Sequence, residues 1–262
     1  MIRKIAYVVL YLLIPAGILA ILSFTGERNR YSPCRELQIR VEGHHGNHFL
    51  RPEQVRMLIN EKMDTLEGRI LDPATMQALH RLVHDIPYVE RASIYRTISG
   101  ELRINISQRD PLIRVINNQN QSYYIDRQGT IFPLAEEHTA RVMLATGSID
   151  QGFTPGYHVL SDEADANSER EGVVADLFKM AHFIDNDTFW KAFIDHIYVT
   201  PSGKFELTPK NGVHIIEFGH ANDMEEKFRK LKIFYLNGLP QVGWSLYRRV
   251  NIEFKNQIVC SK

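Results

Sequence analysis

The 262-residue sequence is short of cysteine, of excess charge and of catalytic spacings, and each shortage excludes something. Its two cysteines, Cys34 and Cys260, are unclustered; they make neither a disulfide framework nor a zinc spacing and read as two unrelated thiols. Lys plus Arg number 31 and Asp plus Glu also 31. With Arg3 and Lys4 set aside, 29 basic residues face 31 acidic ones. That balance lacks the basic face nucleic acid needs and the polybasic patch that anionic lipid needs. There is no His-Glu-x-x-His and no Gly-x-Ser-x-Gly. The glycines are scattered at turns and offer no phosphate cradle. His44-His45-Gly46-Asn47-His48 reads as a surface turn, and Asp162, Glu163 and Asp165 lack the spacing of a calcium loop. No catalytic residue, cofactor, metal or small-molecule substrate is expected, which shifts weight towards a binding or scaffolding protein.

What is present is a charge-free run of 20 residues, Ile5 to Phe24, preceded by Met1-Ile2-Arg3-Lys4. A helix of that length rises about 30 Å, the thickness of a bilayer's hydrocarbon core. The run is longer than the roughly 7–15 apolar residues of a cleaved signal peptide and lacks an Ala-x-Ala site. It is therefore expected to remain as a single transmembrane helix, 5–24, after a tail, 1–4. Arg3 and Lys4 nearly balance Arg28 and Arg30, leaning towards a cytoplasmic N-terminus.

The remaining 238 residues suffice for one large or two ordinary domains. Residues 25–36 read as a polar stalk. Leu37 to Gly43 alternates as a half-buried strand. Pro52 opens a helix with Val55, Leu58 and Ile59 on one face; Asp72-Pro73 opens another with Met76, Leu79, Val83 and Ile86. Ala92, Ile94 and Leu102, Ile104, Ile106 form a hairpin bending at Ser99-Gly100. This strand, helix, helix, strand, strand order predicts a small α+β domain over 37–109. A strand-rich domain with flanking helices follows over 110–260. It has a hairpin across Ser122 to Leu134, a strand at Arg141 to Ala145 and a helix entered through Ser168 and Glu171. A meander follows over Asp195 to Phe218. Its last helix is capped by Asp223, carries Met224, Phe228, Leu231 and Tyr235, and stops at Asn237-Gly238. A closing strand is expected from Tyr247 to Val259. Near the chain's end, such a strand is a candidate sheet edge to which a partner can add another.

In order and spacing these parts resemble the FtsQ/DivIB family of bacterial cell-division proteins, with the first domain similar to a POTRA domain. The resemblance is carried by Leu37 to Gly43, Ile86 to Ala92, Gln108-Arg109-Asp110-Pro111, Tyr123 to Gly129, Met224 to Leu231 and Val250 to Phe254. Asn251 and Glu253 depart from the usual Asp and Arg. The resemblance implies a non-catalytic divisome scaffold in the inner membrane at the division site, globular part in the periplasm. It would bind the small coiled-coil division proteins FtsB and FtsL and help couple septum assembly to septal peptidoglycan synthesis. By position it assigns partner binding to Phe254, Lys255, Asn256, Gln257 and Ile258, with Tyr247 and Tyr235 beside them. Arg56, Glu90 and Arg91 are candidates for further contacts of the POTRA-like domain. The competing readings are a POTRA protein of envelope protein translocation and a membrane-tethered envelope enzyme. The latter requires a pocket of converging acids and bases.

Overall fold

The computed structural model describes residues 33–43, 46–160, 171–211 and 214–262, with Ile14, Pro15 and Gly17. Most of the expected span, most of the stalk and the Ser168 cap lie outside them. Among the described residues no helix is long and apolar enough to cross a membrane. The chain divides into two compact units. One holds Leu50–Gln108 with the chain up to Gly43; the other holds Arg109–Lys262 with His44–Phe49.

The first unit runs β1 (Glu36–Glu42), α1 (Pro52–Met63), α2 (Pro73–His84), β2 (Val89–Arg96) and β3 (Glu101–Gln108). Its sheet has the order β1-β3-β2, with β1 parallel to β3 and β2 antiparallel to it. The Asp72 carboxylate accepts the Thr75 N–H at 2.7 Å and so caps α2. Val55 and Ile59 of α1 and Leu79 and Val83 of α2 pack with Leu102, Ile104 and Ile106 in a core of their own. Ile86 is also buried, although α2 ends before it, at His84.

The second unit is built on one nine-stranded sheet. Its strands are β4 (Pro111–Ile116), β5 (Ser122–Asp126), β6 (Ile131–Pro133), β7 (Met143–Gly147) and β8 (Ile194–Val199). They continue with β9 (Phe205–Pro209), β10 (Ile215–Gly219), β11 (Arg249–Asn251) and β12 (Val259–Ser261). The order is β12-β11-β10-β9-β8-β7-β4-β5-β6. Helices α3 (Glu171–Asn186) and α4 (Thr188–Phe193) precede β8; α5 (Met224–Ile233), a π turn (Phe234–Gly238) and α6 (Leu239–Val242) join β10 to β11. Helix α4 has no counterpart in the sequence reading. Asp187 starts it by accepting the N–H groups of Phe189 and Trp190 at 2.8 and 3.1 Å.

Three expectations need correction here. Asp223 precedes α5, but its backbone is left-handed (φ 50°) and its side chain makes no capping bond. Asn237-Gly238 does not stop the helix: Gly238 has φ −91° and the chain continues to Gly243, whose φ of 99° ends it. Gly238 serves close packing instead, since a Cβ there would lie 2.8 Å from the Phe234 ring. The expected strand from Tyr247 to Val259 is two short strands. β11 ends at Asn251, the buried Ile252 follows it, and Asn256, at φ 59°, turns the chain back.

The helices cover the sheet with aromatic side chains. The Phe228 ring lies 4.7 Å from Phe183, 4.9 Å from Phe218 and 5.0 Å from Trp190. Phe228→Ala is expected to cost about 3–5 kcal/mol, read as a lower urea midpoint.

Tyr235, 1% exposed, shares a hydrogen bond between its hydroxyl and His214 Nε2. His214 is 3% exposed, and burial pushes its pKa below the ordinary 6.5. The unfolded chain therefore takes up a proton at a pH where the folded one does not. The stability this group contributes is full above about 6.5 and falls as pH drops below it. His196 shifts the same way for the same reason. The urea midpoint is expected to fall between about pH 7.5 and about pH 5.5, and less steeply in the non-titrating His214→Gln. Equal slopes would remove His214 as a source.

Candidate partner-binding edge

The two ends of the nine-stranded sheet are finished differently. At β6 the chain covers its own edge. Ile131 N–H donates to Tyr157 O at 2.8 Å, Gly156 N–H to Ile131 O at 2.9 Å and Val159 N–H to Gly129 O at 2.9 Å. Thr130 and His158 add a bridge. At the other end, among the described residues, β12 pairs with β11 alone.

The turn between β11 and β12 carries the expected site residues. Phe254 is 48% exposed and Val259 47%. Lys255, Asn256 and Gln257 are exposed, while Ile258 and Tyr247 are half-buried and pack against the core. Phe254 to Ile258 therefore form a turn rather than strand positions. Tyr235 is corrected from a surface contact to a core residue: its ring stacks on Trp244 at 5.8 Å, and burial pushes its hydroxyl pKa up. It supports the face from beneath. Beside the turn, Lys230, Ile233, Phe234, Asn237, Asn256 and Ile258 line a groove of about 510 Å³. Ile233 and Leu236 of the helical segment are more than half exposed.

The two departures from the family pattern have partners of their own. Glu206, Glu217 and Asn251 lie side by side on β9, β10 and β11. Arg249 pairs with both glutamates. Asn251 donates from Nδ2 to Glu217 Oε2 at 2.7 Å, where an aspartate would add a third carboxylate. Its Oδ1 accepts the Glu253 N–H at 2.9 Å. Glu253 pairs with Lys204 at 2.8 Å and lies over Gly219, where a Cβ would come within 2.8 Å of its side chain. A glycine at 219 is required both for that approach and for its φ of 77°.

A second concavity, about 810 Å³, is lined by Asp110, Arg127, His138, Asp185, Lys191 and other residues of the second unit. Sequence reasoning missed it because these groups are far apart in the chain. Its charges answer one another. Arg127 donates to Asp110 at 2.6 Å and also to Asp185, and Lys191 pairs with Asp185 at 2.8 Å. Burial raises the Asp185 pKa, but the bonds from Arg127 and Lys191 outweigh it and hold the carboxyl below the usual range. Asp185 thus has no proton to donate near neutral pH. His138 Nε2 meets Asn47 Oδ1 at 3.1 Å. The same local logic applies at Asp126, fully buried, which accepts from Gln128 N, Thr130 N and Arg109 at 2.7–3.0 Å.

In the first unit, Arg56 bonds to Glu67 at 2.7 Å and to the Leu37 carbonyl, tying α1 to β1. Arg91 is 76% exposed and pairs with Glu90 at 3.4 Å. Among the described residues no group of three or more His, Cys, Asp or Glu could hold a metal. Cys34 and Cys260 are free thiols.

No curated protein matches the chain. Residues 32–107 match the family model of a POTRA-like domain. Residues 110–261, more than half of the sequence, match the model described as FtsQ/DivIB, C-terminal related. With a POTRA-like match followed by a match that spans more than half of the sequence, the chain belongs to the FtsQ/DivIB family of cell-division proteins.

Proposed function

We propose that the chain is a non-catalytic division-site scaffold that binds FtsB- and FtsL-like coiled-coil proteins by strand addition at β12. In this reading Ile5 to Phe24 anchors it in the inner membrane with a cytoplasmic N-terminus. Both globular units lie outside the cytoplasm, where the complex couples septum assembly to septal peptidoglycan synthesis. The observation that carries the reading is the asymmetry of the sheet. One edge is covered by the chain's own 156–159 segment, and the other is left with the exposed Phe254 and Val259 and a groove against α5. A strand with a free edge offers backbone donors and acceptors, and neighbouring pockets supply selectivity.

The test is co-purification of the full-length protein in detergent from host membranes, with FtsB- and FtsL-like proteins quantified by mass spectrometry. Phe254→Asp and Ile258→Asp are each expected to lower their recovery at least tenfold. Tyr235→Phe is expected to leave recovery unchanged while weakening the fold, since that ring is in the core. Phe254→Ala should shift stability by less than about 0.5 kcal/mol, as an exposed substitution does. Full recovery with both aspartate variants would place the partner surface elsewhere.

A further inference from the structure

We infer that Lys230 is a positioning residue: its ammonium clamps the β11–β12 turn onto α5 and thereby holds the edge strand in place. The Nζ donates to the Ile252 carbonyl at 2.9 Å and to the Phe254 carbonyl two residues on. Both carbonyls lie just beyond the end of β11 at Asn251, where the chain begins to turn. An ammonium has three donors and can bridge both.

The clamp falls where the backbone has least support. Strands β11 and β12 pair over three residues each. Between them the segment from Ile252 to Ile258 belongs to neither ladder. On one side it is tied by Glu253 to Lys204 and by the Ile252 N–H to Glu217 O at 3.0 Å. On the other side Lys230 reaches it from the helix. Lys204 immediately precedes β9 and Lys230 stands on α5, so the turn is gripped from the sheet side and from the helix at once.

The stem of Lys230 also lines the groove with Ile233, Asn256 and Ile258. Losing its head group therefore frees the turn that brings Asn256 and Ile258 to that groove. Burial lowers the amine's pKa and the Glu226 charge acts the other way, as fits a partly desolvated cation turned towards carbonyls rather than water. The inference rests on the proposed strand addition only for its consequence, that a partner meets an edge already in position.

The experiment compares the full-length protein with Lys230→Met, which keeps the stem without the donor, and Lys230→Arg, which restores donors. Hydrogen–deuterium exchange by mass spectrometry follows peptides spanning residues 247–262 and, as reference, peptides of β8 to β10. Lys230→Met is expected to speed exchange in 247–262 about tenfold while the reference peptides keep their protection, and Lys230→Arg to recover most of the loss. Unchanged exchange in 247–262, or a uniform rise across the whole second unit, would overturn the clamp. Recovery of FtsB- and FtsL-like proteins is measured on the same samples. Faster exchange with undiminished recovery would keep the clamp and sink strand addition as the partner's mode of binding.

Discussion

Everything at the open end of the sheet depends on three residues of parallel pairing between β10 and β11, Ile215 with Arg249, Ile216 with Val250 and Glu217 with Asn251. A parallel pair cannot be closed by a tight turn; it needs a crossover. Helix α5, the π turn and α6 are that crossover, and Phe228, Leu231, Tyr235 and Leu239 are its buried side chains. Magnitudes decide which term holds the strand. A net hydrogen bond contributes about 0.5–1.5 kcal/mol, and ordering one backbone residue costs about 1–2 kcal/mol, so a three-residue ladder does not hold itself. Each large buried side chain contributes about 1.5–3 kcal/mol. The edge therefore stands because the crossover packs, and β12, which among the described residues pairs only with β11, stands because β11 does.

Two lysines of α5 then fix where that crossover begins and where its product turns. Lys227, 6% exposed, donates to the His220 carbonyl at 2.8 Å and to Asn222 Oδ1 at 2.9 Å. It holds the tight entry into the helix at the left-handed Asp223. Lys230, one turn on and along the same side, reaches the carbonyls of Ile252 and Phe254. Their acceptors are three backbone carbonyls and one side-chain amide rather than carboxylates, so the helix is connected to irregular chain that no ladder supports. The charged row on the sheet acts similarly: Arg249 lies between two glutamates that would otherwise repel, and Asn251 completes the row without a further charge.

Local signals made much of this architecture readable. Asp72 caps α2 as its position before Pro73 implies, and the Leu102, Ile104, Ile106 alternation faces the core. The hairpin of β5 and β6 and the meander of β8 to β10 follow their turn residues. What failed was wherever tertiary packing overrode a local rule. Gly238 looks like a helix stop, but Phe234 packs against it and the chain runs on through a π turn. Tyr235 is buried as its place on the apolar stripe implies, and it is the partner contact assigned by resemblance that its burial against His214 opposes. The segment Val250 to Val259 alternates like one strand, but Ile252 goes into the core and Asn256 takes a left-handed backbone. The Lys230 contacts had no local signature, because their acceptors are main-chain carbonyls 22 and 24 residues away. The ion cluster of Asp110, Arg127, Asp185 and Lys191 was invisible for a related reason: it is assembled from two loops and two helices.

The shortness of β12 constrains how any strand-adding partner can bind. A strand laid against three residues gains a few hydrogen bonds at about 0.5–1.5 kcal/mol each. Association costs an estimated 4–15 kcal/mol before any side chain is ordered. Backbone pairing at β12 alone therefore cannot hold a partner. The difference has to come from apolar surface, and the places where it is exposed beside the edge are Phe254, Val259 and the groove bounded by Ile233, Phe234 and Ile258. A partner that uses this face needs a strand and an apolar segment in fixed register. The register is set by the distance from β12 to α5, and so by the turn between them. By the same arithmetic, a strand without the matching apolar segment gains too little to stay.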